Sequence, residues 1–304
     1  MKLKTSEKGL ALITTLLITA ILVTIVAEFI FKTYVSTARA ANYKDSARAA
    51  LVAEDGVIIA KAGLEELLKR RPNLNIEEDG LKMSRPVGDD LTVDIRIVDE
   101  KGKASLFIVY PKTGLSNERA EGSYIRLLKN LSLDEHLKDT LADWIDSDND
   151  VRHYGAEAND YYRQLRAPYS PRNNYPDSVD ELLMVKDYTK EGFEKISPFV
   201  TVYNQDGLIN INTAPKEVLM SLSDDMTPEL AEKIISFRKG SPLKDRSEIM
   251  KVPGFETIGF SLQDKITVSS NIFRIYSRAR AGDAVREAEA VVRTGGGIIY
   301  WREM

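Results

Sequence analysis

The chain has 304 residues, a formal net charge of −4 and no cysteine. This length allows one large core or two ordinary ones, because single hydrophobic cores stop growing near about 250–300 residues. The absence of cysteine excludes disulfides, a thiolate nucleophile and a cysteine zinc site, and the small net charge gives no reason to expect nucleic acid or acidic lipid as a partner of the whole molecule.

A short charged leader precedes a long apolar run at the N-terminus. Three lysines come before or beside Gly9, and no residue from Leu10 to Ala27 carries a charge. As a helix, residues 10–31 rise about 33 Å, which is enough to cross a bilayer. Because the lysines favour retention of the N-terminal end in the cytoplasm, we predict a single membrane pass with the remainder outside.

The boundary at Gly9 distinguishes two kinds of leader. A cleaved secretory signal peptide needs a small-residue cleavage site after the run, and none occurs before Ala38–Ala40, where the pattern is already helical. Glycine followed at once by Leu-Ala-Leu-Ile instead resembles the leader of type IV prepilins. This resemblance implies that residues 1–9 are removed by a prepilin peptidase between Gly9 and Leu10, that the helix is retained, and that Leu10 is N-methylated.

Thr14 occupies the fifth position of the helix that such cleavage leaves. Most pilins have glutamate there, and the resemblance implies that this carboxylate pairs with the terminal amine of a neighbouring subunit. A carboxylate in hydrocarbon is costly unless it is paired, whereas Thr14 can return its hydroxyl to a carbonyl one turn earlier. The K-type pseudopilins typically lack the glutamate, which implies a tip position; an ordinary membrane anchor with a threonine is the alternative.

The pattern after the membrane segment predicts more helix and then strands. Apolar residues recur at steps of four and three, so the helix should continue to about Lys69, before Pro72 ends it. Apolar residues alternate with polar ones over residues 91–97, which predicts a half-buried strand and a turn at Asp99–Gly102. Lys103–Tyr110 is then expected to return antiparallel.

The C-terminal pattern again predicts strands, over residues 272–281, 286–294 and 298–301. We therefore predict an α+β fold, in which a long N-terminal helix packs on an antiparallel sheet that is interrupted by an all-α insertion. The expected boundaries are a leader (1–9), a transmembrane helix (10–31), a split pilin-like domain (32–113 and 269–304) and an inserted helical domain (114–268).

An acidic loop within the insertion has the spacing of a calcium site. Carboxylates occupy positions 1, 3, 5 and 12 of a twelve-residue loop, namely Asp146, Asp148, Asp150 and Glu157. Position 6 is Val151 where a regular EF-hand needs glycine, so a calcium loop with another backbone course is expected.

Charge within this loop also favours a cation. The four carboxylates face only Arg152, and their mutual repulsion would oppose compact folding. Asp143 and Asp160 are possible extra ligands. A solvated acidic turn is the alternative.

Two motifs resemble the K-type minor pseudopilins of type II secretion systems. They are Asp143-Trp144-Ile145-Asp146-Ser147-Asp148 and Ile209-Asn210-Ile211-Asn212-Thr213-Ala214-Pro215. The resemblance implies calcium binding in the helical domain, I-type and J-type minor pseudopilins as partners, and a bacterial inner-membrane protein whose periplasmic head assists protein export from the pseudopilus tip.

A repeat in the insertion suggests an alternative function. Glu181–Tyr188 aligns with Glu248–Phe255 at an offset of 67 residues, and the region after Pro215 resembles helix-hairpin-helix (SAM-like) units of DNA-binding competence proteins. However, the hairpin Ser223–Pro228 has two acids and no glycine, and residues 208–268 contain nine acids and eight lysines or arginines. We therefore favour a structural use of these units and expect no nucleic-acid partner.

Catalytic motifs are lacking. The only histidines are His136 and His153, and the sequence contains no H-E-x-x-H, P-loop or G-x-G-x-x-G motif. We expect a protein that is not an enzyme.

Overall fold

The computed structural model describes residues 7–76, 80–159 and 161–304. Its longest element, α1 (Glu7–Arg70), has 64 residues and ends one residue after the predicted position, just before Arg71-Pro72. The helices and strands that follow are, in chain order, β1 (Leu81–Pro86), β2 (Leu91–Asp99), β3 (Ala104–Ser105), α2 (Glu118–Asn130), α3 (Leu137–Ile145), α4 (Lys190–Ile196), β4 (Val200–Thr201), β5 (Ile209–Asn210), α5 (Lys216–Met220), α6 (Pro228–Gly240), α7 (Gly259–Leu262), β6 (Ile266–Thr267), β7 (Ile272–Ala281), β8 (Ala284–Arg293) and β9 (Ile298–Glu303).

The C-terminal half of α1 packs on a five-stranded sheet. The strand order is β1-β2-β7-β8-β9, and all neighbouring strands are antiparallel. The helix faces the sheet with mostly small side chains, all of them buried: Ala49, Ala53, Val57, Ala60 and Leu64. A Cβ on Gly56 would lie 2.2 Å from Ser277 Oγ, so a larger residue here would require the Ser277 side chain or α1 to move. The predicted long helix on an antiparallel sheet is confirmed.

The register of the sheet explains why the strand predictions at its centre were accurate. In β2 the side chains of Leu91, Val93, Ile95 and Ile97 are buried against α1 while the intervening residues are exposed. This alternation is the signal of a sheet with one covered face. β7 and β8 form a hairpin in which Ala281 pairs with Ala284 across a Gly282-Asp283 turn.

The expected antiparallel return over Lys103–Tyr110 is wrong. β2 pairs with β1 and β7, and the chain after Asp99 enters a 3₁₀ turn at Glu100–Gly102. β3 then pairs in parallel with β4, far along the chain. Four consecutive apolar residues follow β3, and because all four are buried they fit the interior of the insertion rather than a half-exposed strand: Leu106, Phe107, Ile108 and Val109.

The insertion consists of two units with separate hydrophobic cores. The first core is built from residues 104–202, and the second from residues 209–266. In each unit a short strand at the beginning pairs in parallel with a short strand at the end. These pairs are β3 with β4 and β5 with β6. The regular elements of the insertion, which we expected to be all-α, are thus mostly helices, but they also include two strand pairs. The sequence did not predict these pairs because two-residue strands leave no periodicity.

The repeat at an offset of 67 residues has a matching local structure in the two units. Both segments are 3₁₀ helices, Val179–Met184 and Arg246–Lys251, and the N-cap side chains of Ser178 and Asp245 accept hydrogen bonds from the backbone two residues on. The equivalent positions Asp187 and Gly254 both have positive φ, 67° and 93°. The shared geometry supports a duplicated structural unit.

Candidate calcium site and exposed helix

Three of the predicted carboxylates converge at the end of α3. Oxygens of Asp146, Asp148 and Glu157 all lie within 4.8 Å of one another, and Asp146 and Glu157 are buried. Because calcium binds oxygens at about 2.3–2.6 Å, oxygens around one ion lie up to about 5 Å apart. The spacing of these three side chains therefore fits a single calcium ion.

Asp146 provides the strongest sign that a cation belongs here. The residue is fully buried, and its Oδ1 has no hydrogen-bond partner among the described residues. Buried carboxylate oxygens without partners are costly, and each needs an explanation such as an ion or a water molecule. A divalent cation between Asp146, Asp148 and Glu157 would satisfy this oxygen directly.

The electrostatics of the group also indicate a shortage of positive charge. Burial raises the pKa of Asp143 and of Asp146 above the usual value of an aspartate. Burial, and then the negative charges of Asp143 and Asp146, raise the pKa of Glu157 to about 8. These directions are those expected of acidic side chains that are buried close to one another.

Arg152 holds two of the acids together. Its Nη1 donates to Asp143 Oδ1 at 2.6 Å and also to Asp146 Oδ2, and its Nη2 donates to the carbonyl of Gly114 at 3.0 Å. The sequence indicated Arg152 only as a nearby positive charge. Its bridging role depends on how the loop folds back on α3, and the spacing of the acids in the sequence does not determine that path.

Two glycines allow the chain to pass close to the carboxylates. A Cβ on Gly155 would lie 1.8 Å from Asp143 Oδ2, and one on Gly114, where φ is +61°, would lie 2.9 Å from Asp148 Oδ2. Sequence reasoning missed both residues.

The remaining predicted ligands lie apart from the three convergent carboxylates. Asp150 is exposed, and its backbone N–H donates to Asp148 Oδ1 at 2.9 Å. Asp143 is buried behind the group, where its Oδ2 accepts from the backbone of Arg152. Asp160 lies outside the described residues.

The N-terminal half of α1 has no packing partner in the described chain. Every residue from Gly9 to Tyr34 is exposed, and α1 is the one helix of the described chain that is long and apolar enough to cross a membrane. Thr14 Oγ1 donates to the carbonyl of Leu10 at 2.9 Å, so its hydroxyl is satisfied within the helix. The residues of the expected leader before Glu7 lie outside the described range.

The Asn-Ile-Asn-Thr-Ala-Pro motif connects segments of the second unit through buried hydrogen bonds. Asn212 Nδ2 donates to the carbonyl of Leu243 at 2.8 Å and to that of Val268 at 2.9 Å, and its Oδ1 accepts from the Leu243 backbone. Arg238 is buried and donates to two backbone carbonyls of the same region. These buried polar groups therefore connect segments within the second unit.

Comparisons with known proteins agree on one family. Two family models, both described as type II secretion system protein K, match residues 105–205 and 209–269, together just over half of the chain. The chain is similar to type II secretion system protein K of Pseudomonas aeruginosa, with 27% identity over 92% of this chain and 87% of the relative. It is also similar to protein K of Aeromonas hydrophila, with 25% identity over 95% of this chain and 93% of the relative.

A solved structure shares the fold. A chain in the crystal structure of the GspK-GspI-GspJ complex from enterotoxigenic Escherichia coli matches with a TM-score of 0.73 and 18% identity, over 88% of this chain and 99% of that one. The match confirms the α+β architecture. None of these comparisons supports the DNA-binding alternative.

Proposed function

Because this chain belongs to the type II secretion system protein K family and is a minor pseudopilin of that system, we propose that it is the structural, non-enzymatic subunit at the tip of the periplasmic pseudopilus. The observation that carries the tip position is Thr14. Because this residue is a threonine, the position offers no carboxylate to the terminal amine of a subunit above it. Its hydroxyl is bonded within its own helix. A subunit that cannot receive a further neighbour is suited to the end of a filament.

The apolar half of α1 supports inner-membrane insertion with the head in the periplasm. A helix with exposed apolar residues over its whole circumference is stable only in lipid or among other apolar helices. We propose that a prepilin peptidase cleaves between Gly9 and Leu10 and that Leu10 becomes N-methylated. Mass spectrometry of the membrane-extracted protein should then give an N-terminus at Leu10, and an intact leader in cells that contain the peptidase would reject the processing.

Calcium is the proposed structural cofactor of the first unit. The residues that would hold it are Asp146, Asp148 and Glu157, and Asp143 stands behind them with Arg152. Bound calcium would neutralise the carboxylates and connect the end of α3 to the end of the acidic loop. The support comes from the three convergent oxygens and the unpartnered Asp146 Oδ1.

The proposed direct partners are the I-type and J-type minor pseudopilins. The support is the shared fold with a chain solved within the GspK-GspI-GspJ complex. The two units of the insertion, with their helix-hairpin-helix-like repeat, are proposed to serve as a rigid head, because their polar residues bond the units to each other and to the sheet.

Export in the source bacterium tests this function. Deletion of the gene should reduce export of type II cargo proteins, and the full chain should restore it. A chain without residues 10–31 should not restore export, because its head would no longer be held among the other subunits. Unchanged export after deletion would contradict the function.

A further inference from the structure

Arg152 is a basic side chain of the acidic loop that is bonded to one of the proposed calcium ligands. Arg152 Nη1 donates to Asp143 Oδ1 at 2.6 Å and to Asp146 Oδ2. Both aspartates are fully buried, whereas the Arg152 side chain is 27% exposed. The guanidinium therefore contacts two buried carboxylates while it remains partly exposed to solvent.

We propose that Arg152 is an internal cation that competes with Ca²⁺ for Asp146 and thereby sets the calcium affinity of the site. This inference rests on the proposed calcium site. In the absence of the ion, Arg152 closes the loop by joining Asp143, Asp146 and Gly114; when the ion binds, the guanidinium leaves Asp146 and keeps its bonds to the other two.

The first reason is that the two cations would share one carboxylate. Calcium takes six to eight oxygen ligands, and the guanidinium already uses Oδ2 of Asp146 while Oδ1 is buried and unpartnered. An ion that binds Asp146 through both oxygens would share Oδ2 with the Arg152 donor, so both cations would draw on the same negative charge. Binding through Oδ1 alone would leave two cations on one carboxylate.

The second reason is charge. A divalent ion among Asp146, Asp148 and Glu157 lies within a few ångströms of the guanidinium, and like charges at that distance repel strongly where water is excluded. Each bond that Arg152 makes to Asp146 therefore lowers calcium affinity. The same bond stabilises the chelated protein, since it places a positive charge among buried carboxylates that would otherwise repel one another.

The two bonds that remain can hold Arg152 in a second position. Its Nη1 donates to Asp143 Oδ1 at 2.6 Å and its Nη2 donates to the Gly114 carbonyl at 3.0 Å. The backbone N–H of Arg152 also donates to Asp143 Oδ2, at 3.1 Å. The loop thus stays attached to α3 and to the segment before α2 in both states. The exchange is then local and needs no unfolding of the first unit.

Calcium titration of the detergent-solubilised full chain tests this competition. Arg152→Gln removes the charge and should lower the calcium Kd by about tenfold or more, while its melting temperature in chelator should fall below that of the wild type. Arg166→Gln removes an exposed arginine of the same segment and should leave both values unchanged. Arg152→Lys keeps the charge and should bind calcium within about threefold of the wild type.

The outcomes separate this inference from the calcium proposal. An Arg152→Gln protein that binds calcium as the wild type does, or more weakly, overturns the competition while leaving the site. An Arg152→Lys protein that gains as much affinity as Arg152→Gln also overturns it, because charge would then not be the cause. Absence of calcium binding in every variant and in the wild type would reject the site and the competition together.

Discussion

Asp99 and Glu100 are neighbours at the end of β2, yet their carboxylates hold different units of the insertion. Asp99 Oδ2 accepts hydrogen bonds from Asn210 Nδ2 and Thr213 Oγ1, each at 2.7 Å, in the second unit. Glu100 accepts from the hydroxyl of Thr201, in the first unit. One 3₁₀ turn thus fixes both units to the sheet, and the head is expected to behave as one body.

The electrostatics of Glu100 predict acid sensitivity. Burial alone would raise its pKa, but the charges of Lys103 and Arg274, with hydrogen bonds from Arg274 and Thr201, lower the pKa to about 2 from an ordinary 4.5. A lowered folded pKa means that its stabilisation is complete above the unfolded value and is lost as the pH falls from about 4.5 to about 2. We expect this one group to contribute about 3 kcal/mol of pH-dependent unfolding free energy, measured by denaturant titration.

A comparison of two variants isolates this contribution. Glu100→Gln should be less stable than the wild type at pH 6 and should lose less stability between pH 4.5 and pH 2. Glu287→Gln changes a half-exposed glutamate on the same sheet and should keep the pH dependence of the wild type. A Glu100→Gln protein with an unchanged acid profile would contradict the assignment.

Asp99 is expected to be as important as Glu100, for a different reason. Asp99→Ala removes the acceptor of Asn210 and Thr213, so that Asn210 Nδ2 loses this bond and Thr213 Oγ1 keeps only its longer bond of 3.3 Å to the Asn210 carbonyl. This change should cost about 2–4 kcal/mol of unfolding free energy. Limited proteolysis should also cut earlier between the two units. Asp283→Ala, in the exposed β7–β8 turn, is the control and should change stability by less than about 0.5 kcal/mol.

The sequence predicted those parts of the fold that a local period describes. α1 and the strands β2, β7, β8 and β9 each have an apolar pattern long enough to read. The parallel pairing of β3 with β4 was missed because it joins two-residue strands about a hundred positions apart. Pairing of this kind is set by tertiary packing. A short apolar run such as residues 106–109 does not indicate which distant segment it packs against.

Calcium should stabilise the head through three particular carboxylates. Asp146→Asn and Glu157→Gln should each remove most of the rise in melting temperature that calcium produces over chelator, because a ligand that binds the folded state stabilises it by mass action. Asp150→Asn is the matched control. Since Asp150 is exposed and outside the convergent group, this variant should keep the full rise. A loss in Asp150→Asn as large as in the other two variants would contradict this ligand set, and a wild type without any rise would favour a solvated acidic turn.

The close approach of Gly155 to Asp143 predicts a severe effect from one methyl group. Gly155→Ala places a Cβ 1.8 Å from a buried carboxylate oxygen, so the loop or α3 must shift. We expect a clear drop in melting temperature and the loss of calcium-dependent stabilisation. Gly63→Ala is the control, because a Cβ there meets nothing within 4 Å and should stabilise the helix by up to about 1 kcal/mol. A well-folded Gly155→Ala protein that responds to calcium would contradict the site geometry.

The sequence also predicted part of the candidate site. The spacing of the acids pointed to Asp146, Asp148 and Glu157 because ligands in a single loop leave a linear pattern. Gly114 left no such pattern, since it approaches the site from another segment, and Asp150 matched the spacing but is directed to solvent. A backbone course that differs from the EF-hand changes which positions converge, and the residue order alone does not determine that course.

Assembly with the two small pilin-like partners is the central claim, and co-purification tests it most directly. The full-length chain, tagged at its C-terminus, would be extracted from membranes with mild detergent in calcium, after co-expression with the I-type and J-type subunits and the prepilin peptidase. We predict that both subunits are recovered with the processed chain in comparable amounts and are lost when residues 10–31 are replaced by an unrelated membrane helix. Recovery of the processed chain alone, folded and calcium-bound, would contradict the account.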